Sequence, residues 1–131
     1  MSKDTLREVP VKFFPLKPDL SKMLRTLTET ESFHFCRATG RFKFIKVQPS
    51  GEKANSLADF VKKIRKIDPA SLDFHYYRGD FERWLENSVG DLVLASRLSI
   101  RRRITLKGEA LREFIINQLK KRYNEINVDF P

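Results

Sequence analysis

With 131 residues, the chain has room for one domain with a single hydrophobic core. Hydrophobic residues make up 40% of it and charged residues 33%, and this balance excludes an intrinsically disordered chain. The formal net charge of +9 favours a polyanionic partner, although the solvated surface of a charge-rich protein could also carry it. We predict one domain over 1–131, with an N-terminal arm and short helix over 1–31, a core over 32–126 and a tail over 127–131.

The cysteine and hydropathy patterns indicate a reducing compartment. The single cysteine, Cys36, cannot form an internal disulfide and has no Cys or His neighbour at metal-ligand spacing, so we expect no metal and no other cofactor. No apolar run approaches the roughly 18–20 residues of a membrane span, and residues 1–10 lack the apolar stretch of a secretory signal. We therefore expect a cytoplasmic protein without a membrane partner. Abundant Lys, Arg and Glu, with Gln only at positions 48 and 118, are typical of a thermophile.

The first elements in chain order are an arm and a short helix. Residues 11–16 form an apolar run, and Pro15 and Pro18 exclude a central strand there, so we predict an extended arm. Helical spacing of four apolar residues then predicts an amphipathic helix within 18–30, capped by Asp19. These four residues are Leu20, Met23, Leu24 and Leu27.

Alternating apolar and polar residues predict a β-hairpin. Its strands would run over 32–37 and 41–47, joined by a turn in which Gly40 can take a positive φ. One face would carry Phe33, Phe35, Phe42 and Phe44. Because a lone hairpin is only marginally stable, helices must cover that face. Residues 48–51, Gln-Pro-Ser-Gly, are predicted to form a loop.

Several helices are predicted after the hairpin. Ser56 and Asp59 have the spacing of a capping box, which begins the strongest helix. Its apolar stripe is Leu57, Phe60, Val61, Ile64 and Ile67, and its other face carries Lys62, Lys63, Arg65 and Lys66. Asp68-Pro69 predicts a new helix that ends before Gly79.

Shorter helices are predicted over 81–88 and 92–98, with Asp80 and Asp91 as their caps and Gly90 between them. A long helix would begin after Thr105 and end at about Ile126. Its buried stripe is predicted to be Leu111, Phe114, Ile115, Leu119 and Tyr123. The predicted fold class is α+β, mostly helical, with an N-terminal β-hairpin packed against several short helices and one long C-terminal helix.

The positive charge lies in two blocks that flank an acidic segment. Residues 37–66 contain nine basic and two acidic side chains, a net charge of +7. Residues 68–91 contain two basic and six acidic side chains, a net charge of −4. Residues 97–122 again contain nine basic and two acidic side chains. The basic blocks either bind a polyanion or pair with the acidic segment, within the chain or across a dimer.

Clustered cations in both blocks indicate binding to nucleic acid. Three adjacent arginines at 101–103 repel one another, and a phosphate backbone would neutralise them and release counterions. The predicted nucleic-acid-binding residues are Lys62, Lys63, Arg65, Lys66, Arg101, Arg102, Arg103, Lys107, Lys120, Lys121 and Arg122.

Residues 74–85 mix aromatic and titratable side chains. The titratable ones include His75, Arg78, Asp80 and Glu82. Such a mixture could host acid–base chemistry or, with Asp73, a nuclease metal. The alternative is structural, with packed aromatic rings, one polar contact for His75 and acids that cap helices. We favour the structural interpretation and assign no catalytic residue and no metal ligand.

Trp84 shares a helical face with Phe81 and Leu85. A tryptophan buries a large area, so we predict a core anchor. The alternative, a platform on which bases stack, would require an exposed ring on a basic face, whereas the surrounding sequence is acidic.

The middle of the chain resembles a family of uncharacterised domains common in archaea. The resemblance rests on residues 54–60, Ile67-Asp68, 71–75, the run Arg78-Gly79-Asp80-Phe81-Glu82-Arg83-Trp84, Gly90-Asp91 with Leu94-Ala95, and 108–112. It covers residues 32–123 and implies that His75, Arg78, Asp80, Glu82 and Trp84 are the hallmark of the family. It also implies an archaeal origin for this chain, with other members in bacteria and, in some, fusion to sugar-transferring enzymes. It implies no activity that could be transferred to particular residues.

Three classes of function follow. The leading hypothesis is a non-enzymatic protein that binds nucleic acid or a ribosomal surface. The alternative is a protein-interaction or regulatory module, including a homodimer, in which acidic and basic segments pair. The third, an enzyme acting on a sugar phosphate or nucleic acid, would need His75 in a pocket with carboxylates. Convergence of the basic residues on one face would favour the first.

Overall fold

The computed structural model describes residues 19–100 and 105–131. The helices are α1 (Leu20–Leu24), α2 (Leu57–Ile64), α3 (Pro69–Arg78), α4 (Asp80–Trp84), α5 (Leu92–Ile100) and α6 (Gly108–Glu125). Two antiparallel strands, β1 (Phe33–Thr39) and β2 (Lys46–Ala54), form a hairpin before α2. The fold is α+β and mostly helical, which confirms the predicted class. The predicted arm at 11–16 and the three arginines at 101–103 lie outside the described residues.

Helix α1 is shorter than the sequence predicts. Its predicted cap is confirmed, because the Asp19 side chain accepts a hydrogen bond from the backbone N–H of Lys22. The helix ends at Leu24 and the chain becomes extended at Arg25. Leu27 is buried outside the helix, and its N–H donates instead to the carbonyl of Asn55 at 2.6 Å. A tertiary hydrogen bond has thus replaced the helical one.

The predicted position of the second strand is wrong. Residues 42–44 form a short 3-10 turn, and β2 begins only at Lys46. Gly40 has φ +94°, and a Cβ there would lie 2.3 Å from the carbonyl oxygen of Phe44, so the turn requires glycine. Phe44 is 72% exposed instead of buried. The side chain of Phe42 lies outside the described part of the chain.

The predicted loop at 48–51 is also wrong, because these residues belong to β2. The register changes from His34 opposite Lys53 to Cys36 opposite Pro49, so β2 carries extra residues there as a bulge. The Ser50 hydroxyl donates to the carbonyl of Phe35, between these pairs. Proline and glycine, which normally mark a loop, here mark an irregular strand.

An aromatic cluster joins the hairpin to the helices. The ring of Phe33 lies 4.8 Å from that of Phe35, 5.2 Å from Phe81 and 5.7 Å from Trp84, measured between centroids. Phe60 of α2 completes the cluster, 5.0 Å from Trp84. The burial of Phe33 and Phe35 confirms the predicted apolar face for β1. Truncation of such a core ring to alanine typically destabilises a protein by about 3–5 kcal/mol.

Local signals predict the start of α2, the end of α3 and the start of α5 correctly. Ser56 caps α2 by accepting from the N–H of Asp59, and Gly79 ends α3 with φ +77°. After α4 the chain makes a π turn over Leu85–Val89 and ends it at Gly90. Asp91 caps α5 as predicted, since its Oδ1 accepts from the N–H of Leu94 at 3.0 Å.

The C-terminal residues pack against the core. Helix α6 buries Leu111, Ile115, Leu119 and Tyr123, while Phe114 is half-buried. Beyond the helix, Val128 and Phe130 contact the core, and the ring of Phe130 lies 5.4 Å from that of Tyr123. Within the described residues, no helix is both long and apolar enough to cross a membrane.

Candidate functional site

His75 lies at the junction of the hairpin with α3 and α4. Its Nδ1 is 2.9 Å from Oδ2 of Asp80, and its Nε2 is 2.9 Å from the backbone nitrogen of Cys36. A backbone N–H can only donate, so Nε2 must be the unprotonated nitrogen that accepts this bond. Nδ1 then carries the proton and donates it to Asp80. The ring is held as one neutral tautomer between β1 and α4.

Burial lowers the pKa of His75 below its usual 6.5, and this effect outweighs the hydrogen bond and charge of Asp80, which raise it. Arg78 also lowers the pKa of His75 through its charge. The Asp80 carboxylate itself lies 3.6 Å from Nε of Arg78 and 2.5 Å from Nη2 of Arg83. Asp80 therefore does not cap α4 as predicted, because its oxygens bind side chains instead.

The other residues of this segment also have structural contacts. Trp84 is buried and its Nε1–H donates to the carbonyl of Glu31 at 2.8 Å, which confirms the predicted core anchor. Asp73 accepts from the N–H of Gly108 at 2.9 Å and so holds the start of α6. Glu82 is half-buried on α4. Over 19–100 and 105–131, no group of three His, Cys, Asp or Glu side chains could hold a metal ion.

Both ring nitrogens of His75 are occupied within the fold. To accept a proton from a substrate, Nε2 would have to release the N–H of Cys36. The geometry thus makes His75 a link between elements, with two polar contacts rather than the one predicted.

Arg122 differs from the other cations predicted to bind nucleic acid. It is buried, and its Nε donates to Oδ2 of Asp91 at 2.9 Å, where the Asp91 side chain is fully buried. Its Nη1 also lies 3.3 Å from Oε1 of Glu125. Arg97 binds the same glutamate through two hydrogen bonds of 2.8 Å. The two arginines hold the pKa of Glu125 below its usual value. Arg122 therefore joins α6 to the start of α5, and its buried guanidinium is not exposed to a nucleic acid.

Two further cations bind backbone carbonyls. Arg112 of α6 donates to the carbonyls of Ile64 and Ile67 at 2.7 and 2.8 Å, which satisfies acceptors left free at the end of α2. Lys63 donates to the carbonyl of Lys53 and lies 3.3 Å from the Asp59 carboxylate. Arg112 fixes α2 against α6, and Lys63 fixes α2 against β2.

The remaining predicted cations in the described part of the chain are exposed and have no acidic partner within 4.0 Å there. They are Lys62, Arg65, Lys66, Lys107, Lys120 and Lys121. Arg65 and Lys66 stand three and four positions after Lys62, so all three are exposed side by side at the C-terminal end of α2. Lys107 precedes α6, about 20 Å along the helix axis from Lys120. The structure thus separates Lys107 from the other five.

Arg65 lies at the edge of a groove that the two lysines of α6 line. Lys120 and Lys121 line an open groove of about 520 Å³ together with Phe130. The guanidinium carbon of Arg65 lies 4.9 Å from the centroid of the Phe130 ring. Phe130 thereby brings Arg65, at the end of α2, to the edge of the α6 groove. We name Lys62, Arg65, Lys66, Lys120 and Lys121 the α2–α6 basic surface.

A second groove, of about 280 Å³, lies between the hairpin and α2. Arg37 of β1 and Lys66 both line it, so the basic surface continues onto the hairpin. The groove also has acids: Glu52, 3.8 Å from Nζ of Lys63, and Asp68 before α3.

A comparison with known protein families identifies the family of this chain. Residues 48–129, from the middle of β2 to the tail, match a family of unknown function, DUF5752. The chain belongs to this family. Membership confirms the resemblance to an uncharacterised domain, although the predicted match began at residue 32 and ended at 123. The DUF5752 match leaves β1 and the turn of the hairpin outside it. Searches of the curated proteins and of the solved structures found no match.

Sequence reasoning missed Phe130 and Arg37 as parts of the surface. Phe130 falls in the predicted tail, although an aromatic residue so close to a basic helix is a signal for packing against it. Arg37 stands among alternating strand residues, and only the hairpin's position against α2 shows which groove it faces.

We predict that acidification destabilises the fold through His75. The unfolded histidine has a pKa of about 6.5 and the folded pKa is lower, so the unfolded state binds more protons as pH falls. The unfolding free energy should therefore decrease from about pH 7 to 5.5, by at most about 1.4 kcal/mol per pH unit. Urea denaturation followed by Trp84 fluorescence measures this. His75→Gln should lose the dependence and His34→Gln, at the other histidine, should keep it. An unchanged slope in His75→Gln would contradict the assignment.

We predict that Arg122 contributes to stability. Arg122→Met leaves the Asp91 carboxylate buried without its partner, which typically costs about 3–5 kcal/mol. The neighbouring exposed substitution Lys121→Met should change the unfolding free energy by no more than about 0.5 kcal/mol. Adding Asp91→Asn to Arg122→Met should recover part of the loss, because no buried charge remains. If Arg122→Met and Lys121→Met lowered the unfolding free energy equally in urea denaturation, the stabilising role of the buried Asp91–Arg122 pair would be refuted.

Proposed function

We propose that this protein binds nucleic acid without catalysing a reaction, and that the α2–α6 basic surface contacts the phosphate backbone. The observation that carries the proposal is a groove lined by Lys120 and Lys121, with Arg65 packed on the Phe130 ring at its edge. These cations come from helices more than fifty residues apart in sequence. RNA, DNA and the RNA of a ribosomal surface all present the required phosphates.

In the described residues, none of these cations has a carboxylate oxygen within 4.0 Å, and this lack of ion pairs supports the proposal. Unpaired cations held close together repel one another, and a polyanion relieves that repulsion with the release of its counterions. Cations with an internal role, such as Arg122 and Arg112, already have acceptors within the fold. The basic side chains therefore divide into a structural set and a set available to a partner.

The shape of the larger groove also suits a nucleic acid. It is open to solvent and is lined by two asparagines, Asn117 and Asn124, besides the two lysines and one acid, Asp129. Amide groups of this kind can donate to phosphate oxygens and to sugars. The rim ring of Phe130 is half-buried and already covered by Arg65, so its contribution is to position the guanidinium.

The alternative is a protein-interaction module built on complementary charge. In its favour, the acidic and basic segments do pair. However, the pair of Asp91 with Arg122 lies within one chain, so part of that complementary charge is used internally. We therefore propose nucleic-acid binding first. A cytoplasmic setting fits it, since the single Cys36 is not in a disulfide.

Salt-dependent binding tests the proposal. The wild type should bind a labelled DNA duplex or a single-stranded RNA at low salt, with an affinity that falls steeply as salt rises. Lys120→Ala/Lys121→Ala should weaken binding and reduce the slope of log K against log salt by roughly 1–2, because each lost phosphate contact removes about 0.7–0.9 from it. Fluorescence anisotropy at several salt concentrations gives both quantities.

Lys22→Ala is the matched control, since Lys22 lies beside Gly90 next to the acidic segment. It should leave affinity and slope unchanged. No binding at low salt, or an equal slope for the double variant and the wild type, would overturn the proposal.

A further inference from the structure

The end of the hairpin exposes apolar and basic side chains together. We name residues 41–47 the hairpin tip. Phe44 is 72% exposed, Ile45 51% and Val47 45%, and these are three of the four large hydrophobic side chains exposed in the described residues. The same seven residues include Arg41, Lys43 and Lys46, which are exposed as well. A soluble protein rarely exposes adjacent apolar side chains without a use for them.

The charge of the tip points to an anionic partner. From Arg37 to Gly51 the sequence contains four basic residues and no acidic one. Within the described residues, Arg41, Lys43 and Lys46 have no acidic group within 4.0 Å. The positive charge also disfavours a second copy of the chain at this place, because two tips brought together would repel.

The tip adjoins the surface already proposed to bind nucleic acid. Arg37, on the strand that leads to the tip, lines the same groove as Lys66. Lys66 belongs to the α2–α6 basic surface, so cations run from α6 across α2 to the hairpin. This continuity favours a single polyanion that follows the whole path over an anionic lipid or an acidic peptide at the tip alone.

We infer that the hairpin tip makes the protein select single-stranded nucleic acid, with Phe44 as a stacking platform for an unpaired base. The inference rests on the proposed function. Bases of a duplex are stacked inside it, whereas those of a single strand can stack on an exposed ring. Arg41, Lys43 and Lys46 would contact the phosphates on either side, and Lys43 already lies 5.7 Å from the Phe44 ring.

Fluorescence anisotropy with a labelled single-stranded RNA, and with the same strand annealed to its complement, tests the inference. The wild type should bind the single strand more tightly. Phe44→Ala should weaken single-strand binding by about 5- to 150-fold, the range for loss of one stacked base, and change duplex binding less than about twofold. Leu92→Ala, at the fourth exposed hydrophobic side chain, should change neither.

A direct readout comes from Phe44→Trp, because a stacked base should quench the added indole while buried Trp84 stays constant. Equal binding of both RNAs by the wild type, or an effect of less than twofold for Phe44→Ala on the single strand, would overturn the inference and leave the proposed function standing. Failure of the wild type to bind either RNA would overturn the inference, and failure to bind a DNA duplex as well would overturn the proposed function too. If it then bound vesicles of anionic lipid and Phe44→Ala abolished that, the tip would be a lipid contact.

Discussion

The neutral ring of His75 is the contact on which the arrangement of this domain depends. Its two nitrogens join the backbone of β1 at Cys36 to the carboxylate of Asp80 at the start of α4. Packed at 5.0 Å from the ring of Phe33, it closes the aromatic core that fixes the hairpin against the helices. The position of the hairpin in turn decides which groove Arg37 faces. His75 stands in a segment whose side chains could form an acid–base site, and it acts as a structural link.

The basic residues serve two purposes, and burial separates them. Arg122 and Arg112 have lost most of their solvent contact, and carboxylate or carbonyl acceptors compensate for it. Lys120, Lys121 and Arg65 remain exposed beside one groove, without such acceptors. The net charge counts the buried, paired arginines and the exposed cations alike. The proposed interface follows from this division and not from the total of +9.

Capping residues and helix-ending glycines made most of the helices predictable, whereas contacts between residues far apart in the chain could not be predicted from the sequence. Ser56, Gly79 and Asp91 act through neighbours three to five residues away, so their signals are local and their predicted roles hold. The error in β2 arose because a bulged strand uses the same proline and glycine as a loop. The role of Arg122 depends on an aspartate 31 positions away in the chain, a partner that periodicity cannot identify. The archaeal and thermophilic character expected from the sequence stays a prediction.

The most direct measurement of this account is the nitrogen-15 NMR spectrum of the two histidine rings at neutral pH. The account predicts a protonated Nδ1 and an unprotonated Nε2 for His75, with an Nδ1 proton that exchanges slowly with water because the ring is buried. Exposed His34 should show rapid exchange and serves as the internal reference. A charged His75 ring, or one protonated mainly at Nε2, would contradict the bond from Cys36 and with it the structural role assigned to this residue.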